Sequence, residues 1–167
     1  MTDLELPDGL NPKLAALGWL CGTWEGTGNG KHPTGEEFQF EQKIEFGHNG
    51  NDYLFYASQT FLLDENGAAE VPFDMESGFW RPQKDASLDV VISHCSGWSE
   101  VWTGKIQLTR IDLNTDAVMR TANAAQQYAA GQRLYGQVEG DLMYAIDIAT
   151  ADSALSPYMW ARLTKTS

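Results

Sequence analysis

Tyr53-Leu-Phe-Tyr-Ala-Ser-Gln-Thr-Phe-Leu-Leu63, closed by Asp64-Glu-Asn66-Gly67, is the stretch that decides the fold. A run of aromatic and aliphatic residues ending in Asn-Gly reads as a strand entering a hairpin. Asn and Gly tolerate the positive φ that a tight turn between antiparallel strands requires. The same pattern continues on both sides. Upstream, Phe38, Phe40, Ile44 and Phe46 recur between polar residues, with a change of phase expected near Gln42. Downstream, Gly78 to Trp80 ends at Arg81-Pro82, and Leu88, Val90, Ile92 and His94 alternate with Asp89, Val91 and Ser93. Trp98 to Trp102 follows a Ser-Gly turn, and Lys105 to Leu113 reads as one strand ending at a turn, Asn114-Thr-Asp116. Val118 to Thr121, Gln132 to Val138, Leu142 to Ile148 and Tyr158 to Leu163 complete the series. Ala124 to Ala130 is rich in Ala and Gln, which favour helix, but is read as a strand.

Strands at roughly 8–12-residue spacing, about ten of them, indicate an all-β barrel or sandwich. Connections of hairpin length favour a single closed antiparallel β-barrel, because closure leaves no edge strand exposed. A barrel of about eight to ten strands has room inside for one small ligand. Residues 1–167 are therefore expected to form one domain, with a short N-terminal lid over 1–20 and the barrel over 21–166. Within the lid, Asn11-Pro12 can start a short helix, and Leu14, Leu17, Trp19 and Leu20 give it an apolar face.

Composition narrows the function. Six Trp, six Tyr and seven Phe in 167 residues are enough large rings to line both a core and an apolar pocket. The net charge of −12 repels phosphate backbones, so nucleic acid is not an expected partner. Cys21 and Cys95 have no metal-ligand spacing and read as reduced thiols. The opening Met1-Thr-Asp-Leu-Glu-Leu-Pro7 lacks the basic start and apolar run of a secretory signal. No apolar stretch approaches the roughly 20 residues needed to cross a bilayer. A cytoplasmic protein without membrane insertion is the expectation, with a small hydrophobic ligand as partner and a homodimer as an assembly to test.

Catalytic signatures are missing: there is no G-x-S-x-G, Cys-x-x-Cys, H-E-x-x-H or phosphate-binding loop. Gly26-Thr-Gly28-Asn-Gly30 precedes a strand rather than a helix, so these are strand glycines. Of the three histidines, His48 sits in the turn Gly47-His-Asn-Gly50 and His32 precedes Pro33-Thr34 near the expected pocket mouth. His94 is in phase with Leu88, Val90 and Ile92 and points into the barrel, as a structural residue or as a ligand contact. Glu76 and Glu100 read as partners of a buried ion pair with Arg81 or Arg120. Tyr158, after Pro157, is either a core aromatic or a ligand residue.

Leu20-Cys-Gly22-Thr-Trp24-Glu-Gly26-Thr-Gly28-Asn-Gly30, with His32-Pro33-Thr34, resembles the G-x-W-x-G-x-G…PT signature of the nitrobindins. Further matches follow in order: Phe46 with His48-Asn-Gly50, Glu76-Ser-Gly78-Phe-Trp80-Arg81-Pro82, His94-Cys-Ser-Gly97-Trp-Ser-Glu100-Val101, and Met119-Arg120-Thr121-Ala122. The end, Leu155-Ser-Pro157-Tyr158-Met-Trp-Ala161-Arg-Leu163, is similar to the family's L-x-P-H-L-x-A-x-L. The likeness runs over about residues 14–165. It implies a ten-stranded lipocalin- or fatty-acid-binding-protein-like barrel that holds haem b near one open end. It also implies a proximal histidine on the last strand and a ferric iron that reacts with nitric oxide and isomerises peroxynitrite.

Position by position, the iron ligand falls on Tyr158, and the distal Met-His of many relatives falls on Phe73-Asp74. Thr34 and His94 fall near the pocket, with His32 and Trp24 as further candidates for ligand contact. A tyrosine phenolate favours ferric iron but needs a nearby cation to form near neutral pH. Arg162, on the same face by alternation, is too distant to supply it. Two binding readings follow: a ferric haem barrel with Tyr158 on the metal, acting as a peroxynitrite isomerase, or a non-haem carrier of a lipid or other apolar small molecule. A barrel filled by its own side chains is the third.

Overall fold

Each of ten antiparallel strands hydrogen-bonds to its neighbours in the chain, and the last returns to the first to close a barrel. They are β1 (Gly22–Lys31), β2 (Glu37–Gly47), β3 (Leu54–Leu63), β4 (Ala69–Pro82) and β5 (Ser87–His94). The second half comprises β6 (Trp98–Gln107), β7 (Arg110–Arg120), β8 (Ala130–Val138), β9 (Asp141–Ala149) and β10 (Ser156–Lys165). The computed structural model describes residues 5–124 and 128–167. Closure is made by β1 against β10, where Gly28 faces Ala161 and Gly30 faces Met159. The Asp64–Gly67 hairpin forms as its sequence demands. Asp64 accepts the amides of Asn66 and Ala68, each at 2.9 Å, and Gly67 takes a φ of 78°.

A 3₁₀ helix, Pro12–Leu20, stops one end of the barrel. Asn11 caps it by accepting the Lys13 amide at 3.0 Å and donates its own amide to the Gly50 carbonyl at 3.2 Å, which ties the helix to the β2–β3 turn. Leu14, Leu17 and Leu20 are fully buried, and the Trp24 indole donates to the Leu20 carbonyl at 2.8 Å. Above this plug, Trp80, Trp102, Tyr135 and Ile44 are fully buried inside the lower barrel. The cavity lined by Phe73, His94 and Tyr158 lies towards the opposite end.

Three local expectations change. No phase break occurs at Gln42: the residue points inward with Phe40 and Ile44. Its amide is satisfied there, because it donates to Ser58 and Thr60 at 3.0 Å and accepts the Tyr144 hydroxyl. Lys105 to Leu113 is not one strand. It is a hairpin turning at Leu108-Thr109, where Leu108 takes a φ of 55° and is left exposed. Asn114-Thr-Asp116 then lies inside β7 rather than in a turn. Of the strand expected over Ala124 to Ala130, Ala130 alone opens β8; Ala124, Tyr128 and Ala129 are irregular, and the rest lie outside the described residues.

Gly78 on β4 permits a close approach of β5. A Cβ there would collide with the carbonyl oxygen of Val91 and lie 3.0 Å from the Cα of Ile92. Both are backbone atoms of a central strand and cannot turn away. Gly78→Ala is expected to lower stability by about 1–3 kcal/mol, the usual cost of overpacking. Urea unfolding monitored by Trp fluorescence would show it as a lower midpoint with an unchanged slope.

Candidate functional site

Two register slips shape the open end. Between β3 and β4, Thr60 faces Asp74 while Phe61 faces Pro72, so Phe73 is an extra residue. Between β9 and β10, Asp147 faces Pro157 while Ile146 faces Met159, so Tyr158 is extra. An extra residue breaks strict alternation and lets consecutive side chains share a face. Phe73 with Asp74, and Tyr158 with Met159, accordingly all line one cavity of about 130 Å³. The bulge also corrects the expected position of Arg162. That side chain lies outside the barrel, donating to Asp141 at 2.7 Å and Glu139 at 3.1 Å.

A charged network forms the floor. Arg133 on β8 donates to both oxygens of Glu76 on β4, at 2.7 and 2.9 Å, and to the Tyr135 hydroxyl at 3.1 Å. Its guanidinium stacks 4.9 Å over the Trp102 ring. Tyr56 donates to Glu76 at 2.6 Å, and Tyr128 donates to Glu100 at 2.8 Å. The expected pairing with Arg81 or Arg120 does not occur, because both arginines sit on the exposed outer face while both glutamates point in. Arg133 Nε and Trp102 Nε1 are buried with no hydrogen-bond partner among the described residues.

His94 joins the network from β5. Its Nδ1 lies 3.2 Å from Asp74 Oδ2 and 3.3 Å from Glu76 Oε2, and its Nε2 bonds Glu100. Carboxylates only accept, so both ring nitrogens must carry protons and the ring is an imidazolium. Burial works against that charge, but Glu76, with Asp74 and Glu100, overrides it and pushes His94 up to about 10. Burial likewise opposes ionisation of Glu76, yet Arg133 and His94 hold it down to about 2. Asp74, Glu76 and His94 place potential metal-ligand atoms within 4.8 Å of one another. A metal there would have to displace the His94 proton, and the cation of this cluster is the imidazolium itself.

Aromatic rings build the rim. His32, Phe38, Phe73 and Tyr158 pack together, with centroids of His32 and Phe38 at 4.9 Å, Phe38 and Phe73 at 5.2 Å, and His32 and Tyr158 at 6.3 Å. Trp98 lies against His94 at 5.5 Å and Tyr128 at 5.1 Å. The Tyr158 phenol is pushed above its usual range, first by burial and then by the negative charges of Asp74 and Glu76.

Of the residues expected at the site, Phe73, His94 and Tyr158 converge on the cavity and His32 packs at its rim. Thr34 does not reach it; it is exposed in a separate groove beside Thr150 and Ser153. Trp24 is buried at the opposite, plugged end. Sequence reasoning missed Arg133, Tyr128 and Trp98 as site residues. For Arg133 a signal existed: it shares the inward parity of Tyr135 on β8.

Comparison with known proteins places this arrangement. A family model described as a THAP4-like, heme-binding beta-barrel domain matches residues 13–165. A "Ferric nitrobindin-like protein" of Cutibacterium acnes is 50% identical over 162 residues, spanning 96% of this chain and 98% of the relative. A "Peroxynitrite isomerase" of Nocardioides is 40% identical, with 96% and 98% covered. The crystal structure of Rv2717c from M. tuberculosis superposes with a TM-score of 0.83 at 27% identity, covering 95% of this chain and 99% of that one. With its closed ten-stranded barrel and matches over nearly its full length, the chain belongs to the nitrobindin-like, THAP4-type haem-binding β-barrel family.

Proposed function

We propose that this chain is a non-haem binding member of its family, a barrel that takes a small organic molecule at its open end. The observation that carries the reading is Tyr158. By resemblance it occupies the place of the iron-binding histidine, and a tyrosine binds ferric iron as a phenolate. Here burial, Asp74 and Glu76 all favour the neutral phenol. The cations on the floor, His94 and Arg133, are already held by carboxylates. Space argues the same way: pockets for drug-sized molecules occupy roughly 300–1,000 Å³, against a cavity of about 130 Å³ here. Phe73 and Tyr158 line it and Phe38 packs against both at the rim, so the residues present do not fit haem b.

Titrating purified protein with hemin and recording the visible spectrum tests the reading. The expected result is the spectrum of free hemin, with no saturable Soret band. Tyr158→His combined with Phe73→Ala, which supplies an imidazole and opens the rim, is expected to gain one. A saturable one-to-one Soret band in the unmodified protein would overturn the proposal, and its loss in Tyr158→Phe would identify the iron ligand.

A further inference from the structure

The floor and rim together specify the charge of the ligand. Three carboxylates, Asp74, Glu76 and Glu100, meet two cations, His94 and Arg133. One negative charge is left over, and the geometry locates it. Glu76 receives both Arg133 nitrogens and the Tyr56 hydroxyl, while Glu100 receives His94 and Tyr128. Asp74 shares His94 Nδ1 with Glu76, and among the described residues its other oxygen meets only the Cys95 thiol, at 3.6 Å. It is also the most accessible of the three, its side chain 26% exposed against 8% for Glu76 and 1% for Glu100.

Four rings line the same cavity: Phe73 from β4, Trp98 from β6, Tyr128 before β8 and Tyr158 from β10. Aromatic rings around a site attract cations through their negative faces, and cages of this composition recognise quaternary ammonium groups. We infer that the cavity binds a small organic cation, an alkylammonium group, seated between the Asp74 carboxylate and these four rings. A cavity of about 150 Å³ holds a benzene molecule, so 130 Å³ suits a group of about five or six heavy atoms. The inference rests on the non-haem reading above and gives it a ligand class.

Tetramethylammonium is the probe, with tert-butanol as its neutral near-isostere and pivalate as an anion of similar shape. Amide and indole chemical shifts of isotope-labelled protein report binding. Tetramethylammonium is expected to shift the signals of Asp74, Trp98 and Tyr158 saturably, while the other two probes leave them in place. Asp74→Asn keeps an acceptor for His94 but removes the charge, and should weaken binding by about tenfold or more, with Trp98→Leu as an independent second variant. Equal binding of all three probes, or an affinity unchanged in both variants, would overturn the inference. The hemin titration separates the two proposals: a barrel that takes neither hemin nor tetramethylammonium loses the cation and keeps the non-haem reading.

Discussion

Arg133→Leu is expected to destabilise the barrel by about 3–5 kcal/mol, the cost of removing one partner from a buried ion pair. The guanidinium is 3% exposed and makes two short hydrogen bonds to Glu76, itself 8% exposed. Its loss leaves a carboxylate in the barrel core with Tyr56 and the shared His94 as its only donors among the described residues. Tyr135 loses a donor as well, and the Trp102 ring loses the cation stacked on it. Adding Glu76→Leu removes the stranded charge. The double variant should therefore recover part of the loss, since apolar replacements of buried pairs are often close to neutral. Equilibrium urea unfolding of the three proteins measures it, and a single-variant cost below about 1 kcal/mol would refute the buried pair.

The same network explains how far the sequence could be read. Alternation gives the strands because one face of each is packed, and the Asn66-Gly67 turn forms because its residues accept the required φ. The failures lie where a local rule meets a tertiary exception. Gln42 interrupts an apolar row yet keeps its phase, since Ser58, Thr60 and Tyr144 satisfy its amide inside. Between Ile106 and Ile111 the inward parity moves from even to odd positions. That shift was the signal of the Leu108-Thr109 turn, masked by the apolar Leu108 at its tip.

The site was legible as a set of residue types but not as a constellation. The bulges at Phe73 and Tyr158 follow from pairing with β3 and β9, which no strand shows in isolation. They bring Asp74 beside His94 and send Arg162 outside. Glu76 and Glu100 could be suspected of ion pairing from their strand context. Their partner is 57 residues from Glu76 along the chain, and only barrel closure brings Arg133 between them.

Alkaline pH should loosen the fold through His94. Asp74 and Glu76 from β4 and Glu100 from β6 face the ring, and Arg133 of β8 lies beyond them. The folded-state value of about 10 lies above the ordinary 6.5, so folding favours the protonated ring. Its contribution is complete below about pH 6.5 and is lost as pH rises through about 10. Glu76 has the opposite sign: its value falls from 4.5 to about 2, so its contribution is complete above 4.5 and is lost as pH falls towards 2. The network therefore stabilises most between about pH 4.5 and 6.5. Above that window stability should fall by about 1.4 kcal/mol per pH unit, the linkage expected of one differentially bound proton. His94→Gln keeps a hydrogen-bonding side chain without the titrating ring. It should begin less stable at about pH 6 and lose much less between there and about pH 9.5. Urea midpoints for both proteins at the two pH values decide it: parallel losses would remove His94 as the cause, whereas a flatter variant would place the titrating proton on the imidazolium between Asp74 and Glu100.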